Sequence, residues 1–291
     1  MDNTLIDIMT YANPSVLADV DWLKANLGKS GIAIIEVDYD PKLAYEQGHI
    51  PGALLIDWRK DMNKPDERDI IGPEEFEKLM SRLGVSNDTH VILYGDYNNW
   101  FATFAFWVFE MYGHKKVQIL NGGRKKWIDS GGELTKEVPT PRPAVYKVEK
   151  VNYANRVFLD ELLREKVGKA DLVLVDVRSP AEFTGEITAP PEYPNEHAQR
   201  GGHIPGAINI PWGQAIREDG TFKSAEELKQ LYASKGVTPE KDVVTYCRIG
   251  ERASVTWFVL KHLLGYPRVR VYDGSWTEWG NLVRFPIERQ R

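Results

Sequence analysis

The chain has 291 residues, 42% hydrophobic and 27% charged, a composition that suits a globular protein with room for two domains. A formal net charge of −5, with no basic run, argues against nucleic acid as the partner. A single cysteine, Cys247, excludes an internal disulfide and a cysteine zinc cluster, and fits a reducing compartment.

Met1 to Val20 carries Asp2, Asp7 and Asp19 but no Lys or Arg. Neither a signal nor a transit peptide is expected, and the protein reads as cytoplasmic. Ile35-Glu36-Val37-Asp38 is a short apolar strand pattern, followed by the turn Gly48-His49-Ile50-Pro51-Gly52-Ala53. Glu74 to Leu83 has helical periodicity, and Val91-Ile92-Leu93-Tyr94 is again a strand. The apolar stretch from Phe101 to Phe109 is about half the length of a membrane span, so no membrane is expected as a partner. Val117 to Gly122 and then Trp127 complete this region, and Pro139-Thr140-Pro141-Arg142-Pro143 is dense enough in proline to read as an extended linker.

Beyond the linker the pattern starts again. Val175-Asp176-Val177-Arg178 matches Ile35 to Asp38, and Gly202-His203-Ile204-Pro205-Gly206-Ala207 repeats the earlier turn word for word. Ala225 to Ala233 reads as a helix, Val243-Val244-Thr245-Tyr246 matches Val91 to Tyr94, and Val269 to Gly274 with Trp279 matches Val117 to Gly122 with Trp127. The offset is 140 between Glu36 and Asp176, 154 between Gly48 and Gly202, and 152 between Tyr94 and Tyr246. An insertion in the second copy, at the proline-rich segment from Ala189 to Gln199, accounts for the jump. Short strands alternating with helices imply an α/β protein made of two tandem domains, each a mainly parallel sheet flanked by helices on both faces. The expected boundaries are 15–135 and 156–288, with 136–155 as linker.

What both copies share reads as fold. His49 and His203 are turn and packing residues on that logic, and Glu36 and Asp176 anchor nearby backbone N–H groups. What differs is charge. Gly95 stands opposite Cys247, Asp96 opposite Arg248, Trp100 opposite Arg252 and Asp38 opposite Arg178. The first copy lacks the nucleophile and its cations, and reads as an inactive domain kept for stability and to wall one side of the site.

Cys247-Arg248-Ile249-Gly250-Glu251-Arg252 lies between the strand ending at Tyr246 and the apolar helical run from Ala253 to Leu264. In parallel sheets catalytic groups gather at the carboxyl ends of strands. There, backbone N–H groups converge and the helix dipole is positive, so an anion is favoured. With Arg248 and Arg252 beside it, Cys247 is expected to ionise below the value of about 8.5 of a free thiol. Many lone cysteines are inert core, but such a cysteine has no use for flanking arginines and a glycine turn. The loop reads as that of a nucleophile.

The Cys247 to Arg252 loop, the duplicated Gly-His-Ile-Pro-Gly-Ala segments, Asp176-Val177-Arg178 and Tyr272-Asp273-Gly274-Ser275-Trp276 together resemble the two-domain rhodaneses, the thiosulfate sulfurtransferases, over nearly the whole chain. The loop is most similar to that of bacterial-type members. The resemblance implies an enzyme without cofactor or metal. Its Cys247 thiolate takes the outer sulfur of thiosulfate, releases sulfite, and passes the sulfur from a persulfide to a thiophile such as cyanide. It further implies substrate binding by Arg178, Arg248 and Arg252, with Ile249, Gly250 and Glu251 completing the loop. Ile249 is a departure, since animal thiosulfate enzymes carry lysine there. Trp276 reads equally as pocket lining and as core. The expected partners are a small sulfur donor and a thiophilic acceptor, and a protein acceptor stays open.

Three rivals stand beside this reading. In 3-mercaptopyruvate sulfurtransferases small uncharged residues usually follow the cysteine, whereas Arg248 and Arg252 suit a dianion. Cysteine phosphatases and arsenate reductase-like enzymes use a similar loop one residue longer, and need an acid for the leaving group that no residue here supplies. A non-catalytic interaction module has no need of the intact cysteine loop.

Overall fold

The computed structural model describes residues 10–191 and 196–289. Residues 1–9 of the N-terminal reading and 192–195 of the inserted segment lie outside the described residues. The chain divides into two compact units: Ser15–Asn152 with Glu218–Phe222, and the described parts of Met1–Pro14, Tyr153–Arg217 and Lys223–Arg291.

The first unit runs β1 (Leu17–Ala18), α1 (Val20–Asn26), β2 (Ile32–Asp38), β3 (Leu54–Asp57), α2 (Trp58–Asp61), α3 (Pro73–Arg82), β4 (His90–Tyr94), α4 (Trp100–Met111), β5 (Val117–Leu120) and α5 (Gly123–Asp129). Its strands form one parallel sheet in the order β1-β5-β4-β2-β3, with Glu36 level with Tyr94. Every residue of β4 from Val91 to Tyr94 is buried, so both sheet faces are covered. The helix α4 is buried on nearly all sides against β2, β4 and β5, which is why Trp100 to Phe109 carries no charge. The proline segment and the residues after it are irregular, and they are pinned along this unit. Ala144 N–H donates to the Ser81 carbonyl, Val148 N–H to Glu77 Oε1, and Asn152 N–H to the Met111 carbonyl.

The second unit runs α6 (Leu159–Gly168), β6 (Leu172–Asp176), α7 (Pro180–Thr184), β7 (Ile208–Asn209), α8 (Ala225–Ala233), β8 (Asp242–Tyr246), α9 (Glu251–Phe258), β9 (Val269–Val271) and α10 (Ser275–Trp279). The sheet is again parallel, ordered β7-β6-β8-β9, with Asp176 level with Tyr246. The run expected as one helix from Ala253 to Leu264 starts earlier, at Glu251. It is α-helical to Phe258 and continues as a π-helical turn over Val259–Leu263. No helix among the described residues is long and apolar enough to cross a membrane.

The duplicated turn does the same work in both units. The N–H of Ile50 donates to Tyr94 Oη at 3.0 Å and that of Ile204 to Tyr246 Oη at 3.1 Å, tying each turn to the end of a central strand. The His49 ring stacks on Tyr45 at 3.7 Å and the His203 ring on Phe183 at 3.6 Å, both buried, a packing geometry. Gly202 has φ +127°, and a Cβ there would lie 2.4 Å from the Glu288 carbonyl oxygen, so only glycine fits.

Candidate active site

Cys247 follows directly on β8, and α9 begins four residues later. Gly250 turns the chain with φ +98°, a left-handed value that glycine adopts without strain. The turn brings the Gly250 N–H to 3.1 Å from Cys247 Sγ, and the N–H groups of Ala253 and Ile249 also favour charge on that sulfur. Below the loop, the Cys247 N–H donates to Ser275 Oγ at 3.1 Å, and the Trp276 N–H to the Cys247 carbonyl at 3.0 Å. Ser275 holds a left-handed φ of +54° to do so and passes its own hydroxyl hydrogen to the Tyr272 carbonyl.

All the residues singled out from the sequence are drawn into this unit and are buried: Cys247, Arg178, Arg248, Ile249, Gly250, Glu251, Arg252 and Trp276. The arginines are not bare cations around the sulfur. Arg178 makes a forked contact with Asp176, Nε to Oδ1 at 3.0 Å and Nη2 to Oδ2 at 2.6 Å, and gives Nη2 also to the Gly202 carbonyl at 2.7 Å. Its guanidinium lies 4.8 Å from the centre of the Trp276 ring, and Nη1 is buried with no hydrogen-bond partner. Arg252 gives Nη1 and Nη2 to Glu182 at 2.8 and 2.9 Å, and Nε to Glu251 Oε1 at 3.2 Å. Burial opposes charge on Glu182, yet Arg252 overrides it and holds that carboxyl down to about 2.

The expected depression of the thiol is corrected by this geometry. Burial, and then the Glu251 carboxylate, push Cys247 up to about 12, against the smaller opposing effect of Arg252. Sγ donates to Glu251 Oε2 at 3.3 Å. The sequence displays Arg178 and Arg252 but not their pairing with Asp176, Glu182 and Glu251.

Trp276 belongs to the unit's apolar cluster, with Nε1 donating to the Arg200 carbonyl at 2.8 Å, and it also carries Arg178 on its face. Glu182 joins the site only through the fold, 70 residues before the arginine it pairs with. The signal was there: Ser179-Pro180-Ala181-Glu182 is a capping box with proline at the first helical position, and it starts α7 directly after Arg178. Among the described residues no group of three or more His, Cys, Asp or Glu could hold a metal ion.

The corresponding place in the first unit is built differently. A Cβ on Gly95 would lie 2.4 Å from the Val37 carbonyl oxygen, so no side chain fits there. Contrary to expectation, Glu36 accepts from side chains, Tyr94 Oη and Arg124 Nη1, the latter at 2.9 Å, whereas Asp176 does accept a backbone N–H, that of Arg178 at 3.0 Å. Asp38 is held up to about 8, by burial first and then by Glu36.

The family model for the rhodanese-like domain matches the chain twice, over residues 19–130 and 159–282. The chain is 55% identical over 283 residues to the sulfur carrier protein TtuD of Thermus thermophilus, covering 97% of this chain and 99% of that one. It is 52% identical over 273 residues to a Saccharopolyspora erythraea protein named provisionally as a thiosulfate sulfurtransferase, covering 94% and 96%. Among solved structures it is similar to an EanB variant bearing a cysteine persulfide, in a tetrahedral intermediate state with ergothioneine. The TM-score there is 0.83 at 27% identity, over 97% of this chain and 72% of that one. The double match of one domain model, on two parallel-sheet units with a duplicated turn, makes this chain a two-domain member of the rhodanese family.

Proposed function

We propose that the protein is a thiosulfate sulfurtransferase that carries sulfane sulfur on Cys247 and delivers it to a thiophilic acceptor. The observation that carries this reading is the seat of Sγ, at the end of β8 and 3.1 Å from the Gly250 N–H, where a sulfur anion gains hydrogen bonds from the loop backbone. The Cys247 sulfur attacks the outer sulfur of thiosulfate, sulfite leaves with the electrons of the broken bond, and the persulfide is cradled by loop N–H groups. Arg178 Nη1, buried and without a hydrogen-bond partner, is a donor for the sulfonate oxygens, and Arg248 and Arg252 add positive potential to the loop. The names of the relatives and the persulfide in EanB support the same chemistry. The name sulfur carrier protein on a relative 55% identical favours a thiol or protein acceptor over cyanide in the cell.

Steady-state rates with thiosulfate and with 3-mercaptopyruvate, each paired with cyanide and with a thiol, test this assignment. Thiosulfate is expected to have the higher kcat/KM with either acceptor. Preference for mercaptopyruvate would reassign the donor.

A further inference from the structure

Cys247 faces a difficulty that its arginines do not solve. Its thiol is buried beside a carboxylate, and a thiolate formed by loss of its proton to water would place two anions side by side out of solvent. Proton transfer within the pair avoids this, because the pair keeps one negative charge throughout.

We propose that Glu251 is a catalytic residue, the base that takes the Cys247 proton as the persulfide forms and returns it when the sulfur is delivered. The geometry is set for it: Sγ donates to Oε2 at 3.3 Å, and Arg252 Nε holds Oε1 at 3.2 Å, so the carboxylate cannot turn away. Arg252 is fixed in turn by its two bonds to Glu182, itself pinned by the Ser179 N–H at 3.1 Å. Arg252 and Glu182 are positioning residues. Arg252 acts on both members of the pair, favouring charge on the sulfur and bonding Glu251; Arg248 is buried in the same loop, and Arg178, held by Asp176 and close to Tyr246, acts on Glu182.

The inference rests on the sulfurtransferase reading, and its steps balance. The thiol proton passes to Glu251 Oε2, the Sγ electron pair bonds to the outer sulfur of thiosulfate, and the pair of the broken S–S bond leaves with sulfite. In the second half the acceptor's electron pair bonds to the outer persulfide sulfur. The S–S pair returns to Sγ, which recovers its proton from Glu251. With cyanide, thiosulfate and cyanide bring the same total charge that sulfite and thiocyanate carry away, so no proton need enter or leave the site.

The test is the single-turnover rate at which thiosulfate adds one sulfur to the intact protein, read by rapid-quench mass spectrometry between pH 6 and pH 9. The wild-type rate is expected to be flat across this range. Glu251→Gln should be at least tenfold slower at pH 7 and should gain a slope of about tenfold per pH unit. Glu251→Asp, which keeps a carboxylate, should restore a flat profile at a reduced rate. Electrostatics alone predicts the opposite, since removing a negative charge beside the thiol eases its ionisation. A Glu251→Gln rate equal to or above wild type would therefore overturn the proposal and leave the sulfurtransferase reading intact. If that variant does not fold, a wild-type rate rising about tenfold per pH unit overturns it, and a flat profile in both wild type and Glu251→Asp supports it. Absence of any sulfur gain by wild type would remove the sulfurtransferase reading and the proton transfer together.

Discussion

Arg252 grips Glu182 with both terminal nitrogens, Nη1 2.8 Å from Oε2 and Nη2 2.9 Å from Oε1, with both side chains buried. Removing the arginine leaves a buried carboxylate without its counter-ion, which typically costs about 3–5 kcal/mol. Arg252→Ala is therefore expected to lose stability on that scale in urea denaturation, well beyond an effect on substrate binding. The double variant Arg252→Ala, Glu182→Leu should recover part of the loss. A single-variant loss below about 1 kcal/mol, the range of exposed pairs, would contradict this assignment.

Arg178 divides its guanidinium between structure and substrate. Its fork to Asp176 and its bond to Gly202 leave Nη1 as the one nitrogen without a partner. Arg178→Lys keeps the charge but loses the fork. Steady-state kinetics should show KM for thiosulfate raised about tenfold or more. An unchanged KM would take Arg178 out of donor binding.

The two units should not be interchangeable. Gly95→Cys forces a Cβ to 2.4 Å from the Val37 carbonyl oxygen, beside the buried carboxylates Glu36 and Asp38. The double variant Gly95→Cys, Cys247→Ser is expected to be destabilised and to transfer no sulfur. Thiocyanate production from thiosulfate and cyanide by that variant would refute the claim that the first unit lacks a site.

Buried Asp38 sets a pH dependence of stability. Its carboxyl is held up to about 8, against about 3.9 in an unfolded chain, so between these values the folded state binds more protons. The contribution of Asp38 to stability is thus lost as pH rises from about 4 to about 8. Asp38→Asn should raise Tm relative to wild type at pH 8.5 and give little gain at pH 5. Equal Tm differences at the two pH values would rule this out.

Much of this was legible in the sequence because it was written twice. The repeated Gly-His-Ile-Pro-Gly-Ala turn and the paired strand patterns fix the tandem α/β architecture, and the loop around Cys247 stands out by its arginines. What escaped depends on contacts far apart in the chain. Arg252 reads as a free cation until Glu182, 70 residues earlier, is folded against it. Glu251 reads as a loop residue until α9 turns its carboxylate onto Sγ. The π-helical turn at Val259–Leu263 has no signature in an apolar run that suits any buried helix.

The central claim is that sulfur rests on Cys247 during turnover, and intact mass measures it most directly. Because no second cysteine exists to resolve a persulfide into a disulfide, the loaded protein should be long-lived. Treatment with thiosulfate should raise the mass of the wild-type chain by one sulfur atom. Cyanide should remove it stoichiometrically as thiocyanate, and Cys247→Ser should show neither change. Turnover of thiosulfate by wild type with no mass increase detectable at any rapid-quench time would contradict the account.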